Sequence, residues 1–191
     1  LREGGIEEPF EVQRKTIPEA LLGRDVCCRA PTGSGKTLAF GIPLVSLAAE
    51  AKSQRPTSLI LTPTRELAEQ IRGVLKPLAD SVGLGVASVY GGTPYKGQLR
   101  RLNQGVEILV ACPGRLIDLL DRGALRLEEV GIVVLDEADR MLDQGFERDV
   151  RKIIAATHAE RQTCLFSATW PDTVRELAHE FLQNPIKITI G

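Results

Sequence analysis

The stretch Ala30-Pro31-Thr32-Gly33-Ser34-Gly35-Lys36-Thr37 decides how the chain folds. The apolar run Val26-Cys27-Cys28 leads into it as a buried strand would, and Leu38-Ala39-Phe40-Gly41-Ile42 leads out with apolar spacing that suits a helix. Glycines in such a turn let backbone N–H groups converge on an anion, and the helix N-terminus adds a favourable dipole. Lys36 is then placed to reach the β- and γ-phosphates of a nucleotide, and Thr37 to offer its hydroxyl to Mg²⁺. The strict form of this phosphate-binding pattern begins with Gly, whereas Ala30 stands first here. The plainer alternative is a glycine-rich strand-to-helix turn, so the rest of the chain has to choose.

At 191 residues, with 43% hydrophobic and 26% charged residues, the chain fits one globular domain with a real core. No apolar run reaches membrane-spanning length and no signal-peptide pattern is visible, which excludes a membrane role for these residues. Cys27, Cys28, Cys112 and Cys164 show no CxxC spacing. They read as buried free thiols of a reducing, intracellular compartment, with neither a disulfide framework nor a zinc site. His158 and His179 lie far from any cysteine pair and read as surface residues. The formal net charge is −1, so any nucleic-acid binding depends on a few local contacts rather than on a basic excess.

Outward from the loop, apolar β-branched segments alternate with helical ones. Strands are expected near Val26–Ala30, Ser58–Thr62, Val86–Tyr90, Glu107–Ala111, Ile132–Asp136, Thr163–Ser167 and Ile186–Ile190. Helices are expected over Gln13–Leu22, Lys36–Ala51, Arg65–Val82, Tyr95–Asn103, Arg115–Asp121, Phe146–Ala155 and Thr173–Leu182, the first kinked or divided at Pro18. Such alternation predicts an α/β fold, an open parallel sheet of about seven strands with helices on both faces. Polar outliers follow the strands: Pro31-Thr32-Gly33, Pro63-Thr64-Arg65, Gly91-Gly92, Pro113-Gly114-Arg115, Asp136-Glu137 and Ser167-Ala168-Thr169. A parallel sheet brings all of these to one edge, where α/β proteins bind ligands. The buried run Ile132-Val133-Val134-Leu135 ends in Asp136-Glu137-Ala138-Asp139. With a phosphate loop present, Asp136 suits the metal and Glu137 the attacking water. Alone, such carboxylates could simply favour a helix N-terminus.

Asp136-Glu137-Ala138-Asp139 spells DEAD, and the chain resembles the first RecA-like domain of a DEAD-box RNA helicase over nearly its whole length. Ala30–Thr37 is similar to motif I, which in that family commonly begins with Ala. Pro63-Thr64-Arg65-Glu66-Leu67-Ala68 resembles motif Ia, Gly91-Gly92 the GG element, Gln98 with Arg101 its QxxR, Cys112-Pro113-Gly114-Arg115 motif Ib, and Ser167-Ala168-Thr169 motif III. Gln13 stands where the Q-motif glutamine belongs, after Gly5-Ile6 and Pro9.

The resemblance implies a P-loop NTPase, an RNA-dependent ATPase and helicase whose cofactors are ATP and Mg. Gln13 would read the adenine edge, while Ala30, Thr32, Gly33, Ser34, Gly35, Lys36 and Thr37 would cradle the phosphates. Lys36, Asp136 and Glu137 would serve catalysis, with Thr37 and Asp136 holding the metal, partly through water. Pro63, Thr64, Arg65, Gly91, Gly92, Gln98, Arg101, Pro113, Gly114 and Arg115 would form a sequence-independent track for the RNA backbone. Asp139, Ser167 and Thr169 would couple nucleotide state to domain closure. Singly, each arginine reads better as a solvated surface residue than as a nucleic-acid contact. Trp170 reads as a packing residue.

Residues 1–191 thus read as one RecA-like domain, the N-terminal half of a helicase. A second such domain, carrying motifs IV, V and VI, is expected in cis beyond Gly191, with ribonucleoprotein or regulatory proteins as further partners. The alternatives are an ATP-gated RNA clamp or assembly factor, and a DNA translocase, against which Gln13 and the DEAD spelling argue. Departures from the family pattern are Cys112 for Thr, Phe10-Glu11-Val12 for Thr-Pro-Ile, and Ile6 where an aromatic often packs on adenine.

Overall fold

The computed structural model describes residues 10–191; Gly5, Ile6 and Pro9 lie outside the described residues. Seven strands form one parallel sheet: β1 (Val26–Arg29), β2 (Ser58–Leu61), β3 (Val86–Val89), β4 (Ile108–Ala111), β5 (Ile132–Leu135), β6 (Gln162–Ser167) and β7 (Ile186–Thr189). Their spatial order is β3-β4-β2-β5-β6-β1-β7, every neighbouring pair parallel. The expected open α/β sheet is present, each strand within a residue or so of its expected span.

Helices fill the crossovers: α1 (Glu11–Leu21), α2 (Lys36–Leu47), α3 (Arg65–Ser81), α4 (Tyr95–Asn103), α5 (Pro113–Asp121), α6 (Ala138–Asp143), α7 (Glu147–Ala156) and α8 (Asp172–Phe181). Alternate strand residues sort into two buried clusters, as the pleat requires. Leu59, Leu61, Val133, Leu135 and Leu165 join α5 to α8 on one face, while Ile60, Val134, Cys164 and Phe166 join α1 to α3 on the other. All four cysteines are buried and unpaired. Burial pushes the thiols of Cys27, Cys28 and Cys112 up to about 11 and that of Cys164 up to about 12, so none is a ready nucleophile.

Pro18 does not divide α1, which runs unbroken through it. Both Pro18 and Arg14, whose carbonyl loses a partner, face solvent, and the buried side chains Val12, Thr16 and Ala20 pin the opposite side. Helix α2 ends at Leu47 rather than Ala51. Ala48 turns extended, and the chain beyond it is held by Thr57 donating to the Ala49 carbonyl and by the Ala51 N–H donating to Glu107 at 3.0 Å. The short helix α6 begins inside the acidic tetrapeptide, at Ala138, where no helix was expected.

Candidate nucleotide and nucleic-acid edge

Read in sheet order, the carboxyl ends of the strands carry Gly91-Gly92 after β3, Cys112–Arg115 after β4, Pro63–Arg65 after β2, Asp136–Asp139 after β5, Ser167–Thr169 at β6 and the Ala30–Thr37 loop after β1. Residues far apart in sequence thus become neighbours, and they sort into two adjoining groups of three. Ladder bonds running past the strand ends keep them level: Ala30 N–H donates to Ser167 O at 3.1 Å, Asp136 N–H to Leu61 O at 2.8 Å and Cys112 N–H to Val89 O at 3.0 Å.

In the Ala30–Thr37 loop, Gly33 and Gly35 adopt φ of +83° and +82°, which an L side chain rarely takes. Gly35 also has no room for one, because a Cβ there would strike the Phe10 ring and lie 2.9 Å from the Gln13 amide. Gln13 is buried, donating to the Gly35 carbonyl at 3.1 Å and accepting the Phe10 N–H at 3.0 Å. Half of a capping box at the start of α1 therefore doubles as a strut for the loop. Phe10 keeps 55% of its surface exposed beside that loop. Sequence reading had given it no role.

Lys36 opens α2, and its Nζ lies 3.0 Å from Asp136 Oδ1. Asp136 is 2% exposed. Burial pushes its carboxyl above the ordinary carboxylate range, against the pull of Lys36. Thr62 donates to its other oxygen at 3.4 Å. Thr62 is a residue that sequence reading overlooked, although a threonine closing the apolar run Leu59-Ile60-Leu61 was the available signal. Ser34 Oγ and Asp136 Oδ1 are buried without a well-directed hydrogen bond. That donor set suits a hydrated divalent cation and the phosphates it would carry. Glu137 stands beside it in the left-handed region at φ +53°, ψ +53°, a costly conformation for a residue other than glycine.

Asp139 is tied to β6. Its Oδ2 accepts the Thr169 hydroxyl at 2.8 Å and the Thr169 N–H at 3.1 Å, while its own N–H donates to Ser167 Oγ at 3.1 Å. Ser167 in turn donates to the Thr169 carbonyl at 2.8 Å. Burial works to raise the Asp139 carboxyl, but the hydrogen bonds, led by the Thr169 hydroxyl, outweigh it and hold it below the usual range. Trp170 packs half-buried on the adjoining core.

On the other three strands the arginines are presented rather than neutralised. The Arg65 guanidinium lies 5.2 Å from the Tyr90 ring centre, and Arg115 sits 4.0 Å over Tyr95. Gln98 is the connector. It donates to Tyr90 O at 3.2 Å and to the Thr93 hydroxyl, and accepts from Arg115 at 3.1 Å, fixing the Gly91-Gly92 turn to α5. Thr64 caps α3 by accepting the Leu67 N–H at 3.2 Å. Pro113 occupies the first turn of α5, whose cap residue Cys112 supplies no side-chain bond, and Gly114 is exposed beside it.

Arg101 is the exception. Its guanidinium donates to Gly105 O at 3.2 Å and reaches toward Gly85 and Glu107, at the opposite edge of the sheet. Helix α4 starts at the carboxyl edge of the sheet and runs back against the strands. Six residues along it, Arg101 has been carried about 9 Å away at 1.5 Å per residue.

Among the described residues no helix is long and apolar enough to cross a membrane. The DEAD/DEAH box helicase family model matches residues 10–177. ATP-dependent RNA helicase dbp2 of Emericella nidulans is 49% identical over 191 residues, covering 98% of this chain and 34% of that protein. DEAD-box ATP-dependent RNA helicase 5 of Arabidopsis thaliana is 48% identical, covering 97% and 36% respectively. The crystal structure of the RNA helicase Prp28 from Chaetomium thermophilum bound to ADP superimposes with a TM-score of 0.92 at 44% identity, covering 100% of this chain and 47% of that one. The chain therefore spans about a third of the length of these curated relatives, and with its RecA-like sheet and the acidic tetrapeptide beside the phosphate loop it belongs to the DEAD/DEAH box helicase family.

Proposed function

We propose that this chain is the ATP-binding, RNA-engaging first domain of an ATP-dependent RNA helicase, acting with a second RecA-like domain in cis. The observation that carries the reading is the order of the sheet. It sets the phosphate loop, the acidic motif and Ser167–Thr169 side by side, and directly next to them the Pro63, Gly91 and Cys112 segments. Nucleotide and RNA chemistry thus share one continuous edge.

Backbone N–H groups of Thr32–Gly35 and the Lys36 ammonium would hold the phosphates, with Gln13 setting both the loop and the adenine side. Thr37 and Asp136 would hold Mg²⁺, partly through water, and the metal would neutralise phosphate charge as the bond to the γ-phosphate breaks. Lys36, now 3.0 Å from Asp136, would exchange that carboxylate for phosphate oxygens. Glu137 would take the proton of the attacking water. On the RNA side, Arg65 and Arg115, the exposed backbone at Gly91, Gly92 and Gly114, and the start of α5 at the buried Pro113 would contact phosphates without reading sequence. The Thr169–Asp139 bond would report nucleotide state across the edge. The coupled outcome is local separation of an RNA duplex or remodelling of a ribonucleoprotein.

RNA-stimulated ATP hydrolysis tests the proposal. The 191-residue chain alone should bind nucleotide and RNA weakly and turn over poorly, while the protein with its second domain hydrolyses ATP when single-stranded RNA is added. Vigorous turnover by the chain alone would contradict the two-domain account. Equal stimulation by DNA would contradict the RNA assignment.

A further inference from the structure

A groove of about 710 Å³ lies outside the site described above, between α8 and the last two strands, β1 and β7. Cys27 and Lys187 are partners in the ladder, so their side chains leave the sheet on the same face, and Arg29 follows two residues along. Arg175 and His179 of α8 close the other wall, and Trp170 closes one end. Among the described residues no aspartate or glutamate lines the groove, in a chain whose net charge is −1. Among the described residues Arg29 and Lys187 have no ion-pair partner, and Arg175 has only the exposed Asp172 at 3.8 Å. The floor is a buried thiol and aliphatic carbon, and among the described residues β7 is an edge strand with its outer side unpaired.

We propose that this groove docks an extended acidic peptide of a partner protein, with apolar side chains alternating with carboxylates. The cationic rim supplies charge complementarity, and the apolar floor and the free strand edge suit a peptide better than a nucleic-acid backbone. The position adds a consequence. Trp170 follows Thr169 directly, and Arg29 immediately precedes the phosphate loop, so an occupant touches the flanks of both nucleotide motifs without entering them.

The test is a titration of the chain, followed by the Trp170 indole N–H and the Lys187 amide in two-dimensional NMR, with the synthetic peptide Asp-Glu-Leu-Asp-Phe-Glu-Asp-Leu-Glu. Saturable shifts at both positions are expected, weakened about three- to tenfold by Lys187→Glu or Arg175→Glu and further by salt. Absent shifts, or equal shifts with a peptide carrying Lys in place of each acid, would overturn the proposal. Shifts produced instead by an oligouridylate would assign the groove to RNA, and shifts that track chain concentration alone would assign it to a second copy; either overturns it. Nucleotide binding read from the loop amides in the same samples is independent, so failure of the groove and failure of the ATP assignment are distinguishable.

Discussion

Lys36 Nζ and Asp136 Oδ1 lie 3.0 Å apart, joining the first residue of α2 to the residue that follows β5 in a nearly dry setting. Removing one member of such a pair leaves an uncompensated charge, at a cost of about 3 kcal/mol. Lys36→Met and Asp136→Asn should each destabilise the chain by that order, and the double variant should recover about 1–3 kcal/mol of the sum. Urea unfolding of the four proteins measures this. Strict additivity would mean that the two side chains do not interact in solution.

Glu137 combines a catalytic assignment with a strained backbone. Glycine would relieve a left-handed conformation costing about 1–2 kcal/mol, while losing about 0.4–1 kcal/mol to the freer unfolded chain. Glu137→Gly should therefore be neutral or stabilising by up to about 1.6 kcal/mol in thermal unfolding, an unusual outcome beside a buried charged site. In the protein with its second domain, Glu137→Gln should keep ATP binding yet lose hydrolysis at least about 100-fold. Surviving turnover would move the water-activating role elsewhere.

Asp139 and Thr169 make a pH-dependent contact. The folded-state carboxyl lies below its ordinary value, so its contribution is present above that ordinary value and is lost as pH falls through the lower, folded one. Thr169→Val removes the hydroxyl donor and should cost about 0.5–1.5 kcal/mol at pH 7, near the lower end because Thr169 is exposed. The gap in melting temperature between the two proteins should narrow below about pH 4, where the unfolded carboxyl takes up its proton. A gap unchanged between pH 7 and pH 3 would rule out the ionised carboxylate as the partner.

Both the sheet and the gathering of the polar strand ends along one of its edges were legible in the sequence, because buried parallel strands read as unbroken apolar runs and their ends are marked by glycine, proline and charge. Residues that act through other residues were not. Thr62 meets Asp136 only because β2 and β5 are neighbours, a pairing across more than seventy residues that no local pattern encodes. Phe10 gains its place against Gly35 from the packing of α1 on α2, and as an isolated aromatic at a helix start it carries no signal. Thr64 and Ser167, by contrast, sit where turn chemistry alone would put them.

Gly35 makes the Phe10 contact measurable. Gly35→Ala adds a Cβ into the Phe10 ring and the Gln13 amide, on a backbone that already disfavours it. It should cost about 1–2 kcal/mol for the conformation alone, with more from the collision, and weaken nucleotide binding about tenfold or more. Phe10→Ala in the Gly35→Ala background should restore part of the stability and none of the backbone term. If the second change brings no recovery, the ring does not rest on the loop in solution.

Gln98 and Arg101 belong to one sequence element, yet they end at opposite edges of the sheet. Gln98 braces Arg115 and the Gly91-Gly92 turn, whereas Arg101 closes the C-terminal end of α4 onto Gly105. Gln98→Ala removes bonds worth about 0.5–1.5 kcal/mol each, so affinity for single-stranded RNA should fall about 3- to 30-fold in the protein with its second domain. Arg101→Ala should leave that affinity and its salt dependence unchanged while lowering stability, because a guanidinium two helical turns from the edge contacts no phosphate there. Fluorescence anisotropy at two salt concentrations separates the cases. A shallower salt slope for Arg101→Ala would show that the arginine reaches RNA after all, and that α4 moves on binding.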